Sequence, residues 1–562
     1  MVRYTKMLCI IMLFVCLGLL TQPAVTSAHA SLIQSTPAEN AVLNEPPTKI
    51  SLKFNESIQP AFHSIKVKNS SGEQINQGES YTVPGKDSEL EVKLEPNLPQ
   101  GIYTIQWKAV SGDGHPIEGT FAFQLGTQAG NGGSAETTPT SNTTNDMPGV
   151  DLIIIRWLLY MSLAMVAGIL CFYLYMLPSS TEKEPLLQLP SRSRFLLWSA
   201  YGGVVLSLLL SLPQQITIDA GVRWTEVWNA ELFSKMLRVT SFGHIWLVQI
   251  ILMLLLGTML YAAANMTRKK DVKLVFTLAL ALSLGMLFCK ALIGHPAVTE
   301  PKAISIPMDF IHLAAASIWI GALLSIAALL PGEASLPTEP NARKQVYFKV
   351  IQRFSYWGTA LVSFILISGI YGSLKYIPTW YSLTHTSYGV VLLLKGLLLL
   401  IMIGFAAFNM LRGKRGTGTL GASIWIELSA GVITLVLAAV LTNLPPAATS
   451  PGPINMEHTL SNKSVISLHI SPNQTGDNMF EIQVKDSAGN SVKDIEQIKL
   501  TLSSLDMDMG NYDITIPGSS SATSYQAKDL ISMAGRWNVS VHVLTSSLEA
   551  LDTNFIITVG SP

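Results

Sequence analysis

Eight apolar runs between Val150 and Leu444 constrain this chain more than any other feature. They cover approximately residues 152–177, 195–213, 242–265, 273–293, 304–330, 354–373, 387–411 and 422–444, each near the ~20 residues a bilayer crossing needs. In hydrocarbon every backbone N–H and C=O must be satisfied within the segment, so such runs predict spanning helices. Composition agrees: 13% of residues are charged, 49% are hydrophobic, and the mean hydropathy is +0.37. At 562 residues the chain is too long for one core, so further units are expected on either side of the spans.

Loop charge gives the orientation. With the N-terminal segment outside, the first inner loops and helix ends hold Lys183, Arg192, Arg194, Arg268, Lys269, Lys270 and Lys273. The later ones hold Arg343, Lys344, Lys349, Arg353, Arg412, Lys414 and Arg415, making fourteen positive residues. The outer loops hold five, namely Arg223, Lys235, Arg238, Lys302 and Lys375; Arg156 and Lys290, just inside outer helix ends, would make seven. The bias predicts eight spans in the plasma membrane with both termini outside.

The flanking segments read as β structure. Alternation in Ile50-Leu52-Phe54, Leu90-Val92-Leu94, Tyr103-Ile105-Trp107 and Phe121-Phe123-Leu125 predicts a small all-β barrel or sandwich. A polar stretch over 127–149 has too little apolar content to fold and reads as a flexible linker. Alternation returns in Ile466-Leu468-Ile470, Phe480-Ile482-Val484, Ile498-Leu500-Leu502, Trp537-Val539-Val541-Val543 and Phe555-Ile557-Val559, predicting a second β-sandwich over 448–562. Each flank is acidic, with 7 Lys/Arg against 13 Asp/Glu over 29–148 and 6 against 12 over 448–562, which argues against a nucleic-acid partner. The four cysteines (Cys9, Cys16, Cys171 and Cys289) all lie in apolar runs, so no disulfide framework holds the β units.

The N-terminus, with Arg3 and Lys6 before the apolar run Met7 to Leu20, reads as a secretory signal. Two cleavage sites compete. Cutting after Ala28 leaves His29 first; cutting after Ala30 fits the small-residue pattern slightly better and discards His29. An N-terminal His29 would offer an α-amine and an imidazole together. The turn "SGDGHPIEG" offers Asp113 and His115, an i, i+2 pair that an extended backbone projects to one side. Nitrogen-rich donors with one oxygen suit Cu(II). In isolation "DGHP" also reads as a plain polar turn; the histidine at a cleavage site tips the reading to metal.

These residues carry a resemblance. "HASLIQSTPAENAVL", "ISLKFNESIQPAF" and "VSGDGHPIEGTFAFQL" resemble the CopC family of secreted copper-binding β-barrels. That resemblance implies Cu(II) ligands at His29, Asp113 and His115. "DFIHLAAASIWIGAL" and "YGVVLLLKGLLLL" are similar to the CopD family of copper transport membrane proteins, and "LDMDMG" with "GRWNVSVHV" resembles the small YtkA-like domain. The whole looks like a CopC–CopD fusion of the YcnJ type. The implied divisions are a signal peptide over 1–28, a Cu(II)-binding domain over 29–126, a linker over 127–149, a membrane domain over 150–447 and a YtkA-like domain over 448–562. His63 stands outside this ligand pattern and reads as a barrel-edge residue.

Ionisable groups inside a membrane are costly and so mark function. His312 lies about eight residues into the fifth run, roughly 12 Å deep, with Asp309 one turn before it on the same face. His295 and His244 stand at outer ends of the fourth and third runs. Together they form a candidate path for copper, with Cu(I) as its form there. Met286 and Cys289 offer soft donors but fit apolar packing better. Lys395 and Glu427 lie at different depths, which argues against a direct pair, and neither reads as a ligand. Met507 and Met509 form a weaker thioether pair in the last segment. No nucleophile–base set or phosphate loop appears, so the chain reads as a transporter rather than an enzyme. The expected function is capture of Cu(II) outside and transfer of copper across the membrane, with membrane lipid and another extracellular copper protein as partners. The rivals are copper sequestration for resistance and a haem-binding redox protein.

Overall fold

In the computed structural model the described residues are 30, 32–38, 41–69, 72–96, 98–112, 116–126, 149–178, 189–265, 269–299, 301–330, 339–415, 421–444, 446–492, 494–505, 511–518, 523–531 and 534–560. Alternation in the first segment becomes eight strands: β1 (Leu32–Thr36), β2 (Val42–Leu43), β3 (Lys49–Phe54), β4 (Ser64–Lys68), β5 (Asn76–Val83), β6 (Lys86–Leu94), β7 (Gly101–Val110) and β8 (Pro116–Leu125). They form two four-stranded sheets, ordered β1-β3-β6-β5 and β2-β8-β7-β4. The apolar members of each alternating set point inward and are buried, as period-two patterning requires. Phe54 and Trp107 meet edge to face at 5.3 Å across the two sheets. Gly119 is opposite Trp107, and a Cβ there would lie 2.7 Å from the indole.

The apolar runs form the helices. These are α1 (Val150–Cys171), α2 (Ser191–Ala220), α3 (Ala230–Val239), α4 (Ser241–Asn265), α5 (Lys269–Ala291), the single turn α6 (His295–Val298), α7 (Lys302–Leu324), α8 (Pro340–Tyr376), α9 (Trp380–His385), α10 (Ser387–Arg415) and α11 (Gly421–Leu441). Among the described residues, eight helices have the length and apolar character to span. Both α1 and α7 end in a π turn, over Phe172–Met176 and Ser325–Leu329. They cross at Gly168 and Gly321. A Cβ on Gly168 would lie 2.1 Å from the Gly321 carbonyl carbon, and one on Gly321 would lie 1.8 Å from the Ala164 oxygen. Only glycine allows this approach, which fixes α7 against α1. By contrast, α10 is peripheral and almost none of its spanning stretch is buried.

The last segment forms β9 (Ile454–Thr459), β10 (Val465–Ser471), β11 (Gly476–Lys485), β12 (Ile495–Ser504), β13 (Asn511–Pro517), β14 (Tyr525–Ile531), β15 (Gly535–Thr545) and β16 (Ala550–Val559). Its sheets run β14-β11-β10-β9 and β13-β12-β15-β16, closed over the predicted apolar positions. Both β units rest on the same end of the helical bundle. Phe62 packs into an apolar cluster with Leu212, Ile216 and Met236, and the Lys235 ammonium sits 5.3 Å over its ring. At the other unit, the Thr379 hydroxyl donates to the Pro451 carbonyl at 2.8 Å.

Candidate functional site

His29, Asp113 and His115 lie outside the described residues, and so do Met507 and Met509. Their immediate neighbours are placed. Val110 and Pro116 face each other across β7 and β8, so Asp113 and His115 belong to the connection that closes this hairpin. The Ala30 backbone N–H donates to the Ser111 hydroxyl at 3.2 Å, and Ala30 is itself buried in the domain core. Gly112 N–H, next to Ser111, donates to the Ser57 carbonyl at 2.7 Å and anchors the same arm of the hairpin. Ala30, the residue after His29, is therefore tied to Ser111, two positions before Asp113. That proximity joins positions 81 apart in sequence.

His63 adjoins Ser64, which pairs with Lys108 at the same end of the barrel. Its Nδ1 is 2.9 Å from the Ser80 hydroxyl. Burial, and then the Lys235 ammonium of α3, hold the imidazole below its ordinary range. His63 thus belongs to the seam between the first β unit and the membrane domain.

Within the bundle, His312 Nδ1 stands 3.0 Å from the Ser368 hydroxyl on α8. The Ser368 hydroxyl already donates to the Phe364 carbonyl at 2.6 Å. A hydroxyl has one proton; with it on Phe364, the oxygen accepts from an Nδ1–H of His312 and Nε2 keeps its lone pair. That tautomer leaves one ring nitrogen able to accept. Asp309, one turn earlier, lies in the electrostatic field of Lys395, Lys290 and His295. His312 shares Lys395 with it. His295 is buried, its ring 5.9 Å from that of Tyr376, and the Tyr376 hydroxyl meets Thr299 at 3.2 Å. Arg156 on α1 donates to the Thr442 carbonyl at 3.2 Å and acts electrostatically on Lys290. Asp309 of α7 is thus within electrostatic reach of Lys290 and Lys395, from α5 and α10, but among the described residues His295, Asp309 and His312 do not close into a three-donor metal group.

His244 is placed elsewhere: it is exposed, with Nε2 3.1 Å from the Arg238 carbonyl at the end of α3. Met286 and Cys289 are buried, and Met286 belongs to the apolar core of the first helices. Glu427 has Asn409, not Lys395, as its partner. Sequence reading missed Ser368, Tyr376 and Thr299, which are ordinary polar residues in apolar helices until a histidine is seen beside them.

Three family matches follow the architecture. Residues 32–126 match the CopC domain, residues 147–303 match the N-terminal domain of copper resistance protein D-like proteins, and residues 348–441 match copper resistance protein D. The copper transport protein CutJ of Bacillus subtilis (strain 168) is 32% identical over 547 residues, covering 95% of this chain and 96% of its own. This chain belongs to the family of fused CopC and CopD proteins. Copper resistance protein D of Pseudomonas syringae pv. tomato is 28% identical over 312 residues, covering 52% of this chain and 96% of its own. The crystal structure of CopC from Methylosinus trichosporium OB3b is 27% identical, with a TM-score of 0.17, and covers 17% of this chain and 93% of that one.

Proposed function

We propose that this CopC–CopD protein takes up copper. Cu(II) is captured outside the plasma membrane by His29, Asp113 and His115, and copper then moves inward past His295, Asp309 and His312. The single observation that carries the reading is the Ala30 amide on the Ser111 hydroxyl. It joins the residue that follows His29 to the residue two before Asp113, which supports a site shared by His29, Asp113 and His115. It also bears on processing. Cutting after Ala30 would remove a buried residue and its hydrogen bond, whereas cutting after Ala28 keeps both and frees the His29 amine.

The Lys290 and Lys395 side chains act on the single carboxylate of Asp309, and such a surplus of positive charge opposes a divalent ion more than a monovalent one. Cu(I), singly charged and matched to the His312 imidazole, is the form this cluster admits. The docking of both β units on one end of the bundle, together with the loop charges, supports an extracellular position for both. The last unit is proposed as YtkA-like, assisting exchange with another extracellular copper protein, with Met507 and Met509 as thioether donors.

Cellular copper tests the whole reading. In a deletion strain grown on scarce copper, the parent chain should restore copper content, and His115→Ala and His312→Ala should not. Equal copper content with and without the parent chain would turn the reading to sequestration.

A further inference from the structure

The half of the bundle farther from the β units holds an ionisable group that the copper path leaves unused. Glu427 on α11 is fully buried, at 0% exposure. Its Oε2 accepts from the Asn409 amide at 3.0 Å. The Ser423 hydroxyl donates to Asn409 Oδ1, which turns the amide nitrogen toward the glutamate. Glu427 Oε1 is buried without a hydrogen-bond partner.

Glu427 and Asn409 line a cavity of about 200 Å³ bounded by α7, α8, α10 and α11. Most of its wall is apolar. Ser355, Thr359 and Ser363 of α8 also line it, but each hydroxyl donates to a carbonyl one turn back on its own helix. No Lys, Arg or His is among the lining residues. Four charged groups on the surrounding helices have other partners. Arg353 of α8 reaches the Met176 carbonyl, Arg412 of α10 covers the Phe408 ring at 5.1 Å, and Lys395 and Asp309 belong to the cluster nearer the β units.

A carboxylate in such a place must be neutralised, because an isolated buried charge is too costly. The neutralising species is either a metal ion or a proton. Met410 is the one sulfur in the lining, and no group of three His, Cys, Asp or Glu gathers among the described residues. The donors are too few to hold a metal.

We propose that Glu427 is a proton-exchange site, loaded and emptied through this cavity from the Lys/Arg-rich end of the bundle. Glu427 lies six residues into α11, about 9 Å from that end. The step is a heterolytic exchange: the carboxyl O–H bond breaks, the electron pair stays on Oε1, and the proton leaves to water. No electron is transferred. The assignment of this end to the cytoplasm, and the link to copper, rest on the function proposed above; the proton site itself does not.

The test uses the full chain in lipid vesicles and N,N′-dicyclohexylcarbodiimide, an apolar reagent that attacks protonated carboxyls shielded from water. The expected result is an adduct on Glu427, located by peptide mass, whose yield falls as pH rises and which Glu427→Gln abolishes. Copper uptake by Glu427→Gln should lose its dependence on the pH of the cytoplasmic side. Absence of the adduct in the folded parent overturns the proposal. So does an adduct accompanied by an unchanged pH profile in Glu427→Gln. Should the parent move no copper, the transport reading fails, and the labelling alone then decides the proton site.

Discussion

The imidazole of His312 and the hydroxyl of Ser368 stand 3.0 Å apart and tie α7 to α8. With the Ser368 hydroxyl donating to Phe364, the pair leaves Nε2 of His312 open. Removing a group that orients a metal ligand typically costs 10- to 100-fold in affinity or activity. Ser368→Ala should therefore lower copper uptake about tenfold, and His312→Ala should reduce it to background. Both should leave the protein in the membrane with its outer Cu(II) capture intact. Isotopic copper uptake in vesicles checks this, and parental uptake by His312→Ala would return the residue to a packing role.

Asp309 and Lys395 answer each other across α7 and α10. Asp309→Asn and Lys395→Met should each lower the thermal midpoint of the purified chain. The double variant should lose less than the two single losses together, by a coupling of about 0.5–3 kcal/mol. Strict additivity would mean that the two groups stabilise the bundle independently.

The first β unit, made with His29 as its first residue, should bind one Cu(II). Its affinity should fall as pH drops through the α-amine and imidazole ranges, about 8 down to 6.5, since both nitrogens must be deprotonated. Ser111→Ala removes the anchor of Ala30 and should weaken binding by about 1 kcal/mol, as loss of one hydrogen bond does. Titration followed by electron paramagnetic resonance measures both. Equal binding by His115→Ala and the parent would remove the turn from the site.

His63 makes the seam between this unit and α3 sensitive to pH. Its imidazole is held below the ordinary value of 6.5, so the neutral form is favoured where it is buried. The stabilisation is present above that value and is lost as pH falls through it, because released His63 takes up the proton. Hydrogen-exchange protection in the 230–239 segment, relative to the free-peptide rate, should fall below about pH 6.5 in the parent and change less in His63→Gln. An identical pH profile in the two would place the titrating group elsewhere.

Reporter fusions after Lys270 and after Lys414 should behave as cytoplasmic, and fusions at Glu300 and at the C-terminus as external. An inverted result at the C-terminus alone would mean that one of the eight helices does not cross.

The β units were legible because each strand is wetted on one face only, so alternation in Ile50-Leu52-Phe54 or Trp537-Val539-Val541 reports burial directly. The spans were legible because length and apolar content suffice for a bilayer. The membrane site was legible only in part. Asp309 and His312 share a helix, and helical spacing pairs them. Ser368 is 56 positions away and Lys395 lies on a third helix, so no local pattern links them to His312. His244 shows the reverse case. A histidine at a span end resembles a path residue, yet its ring faces the last carbonyls of α3, a role set by tertiary packing.

At the Gly168–Gly321 crossing, backbone meets backbone with no side chain to yield. At that level α1 and α7 can neither slide nor roll past one another, and they act as a single beam through the membrane. His312 and Asp309 ride on that beam. Ser368 and Lys395 come from α8 and α10, outside it, and α10 buries almost none of its spanning stretch. On the proposed path, Asp309 and His312 thus share one fixed element, while their partners Ser368 and Lys395 belong to two separate helices.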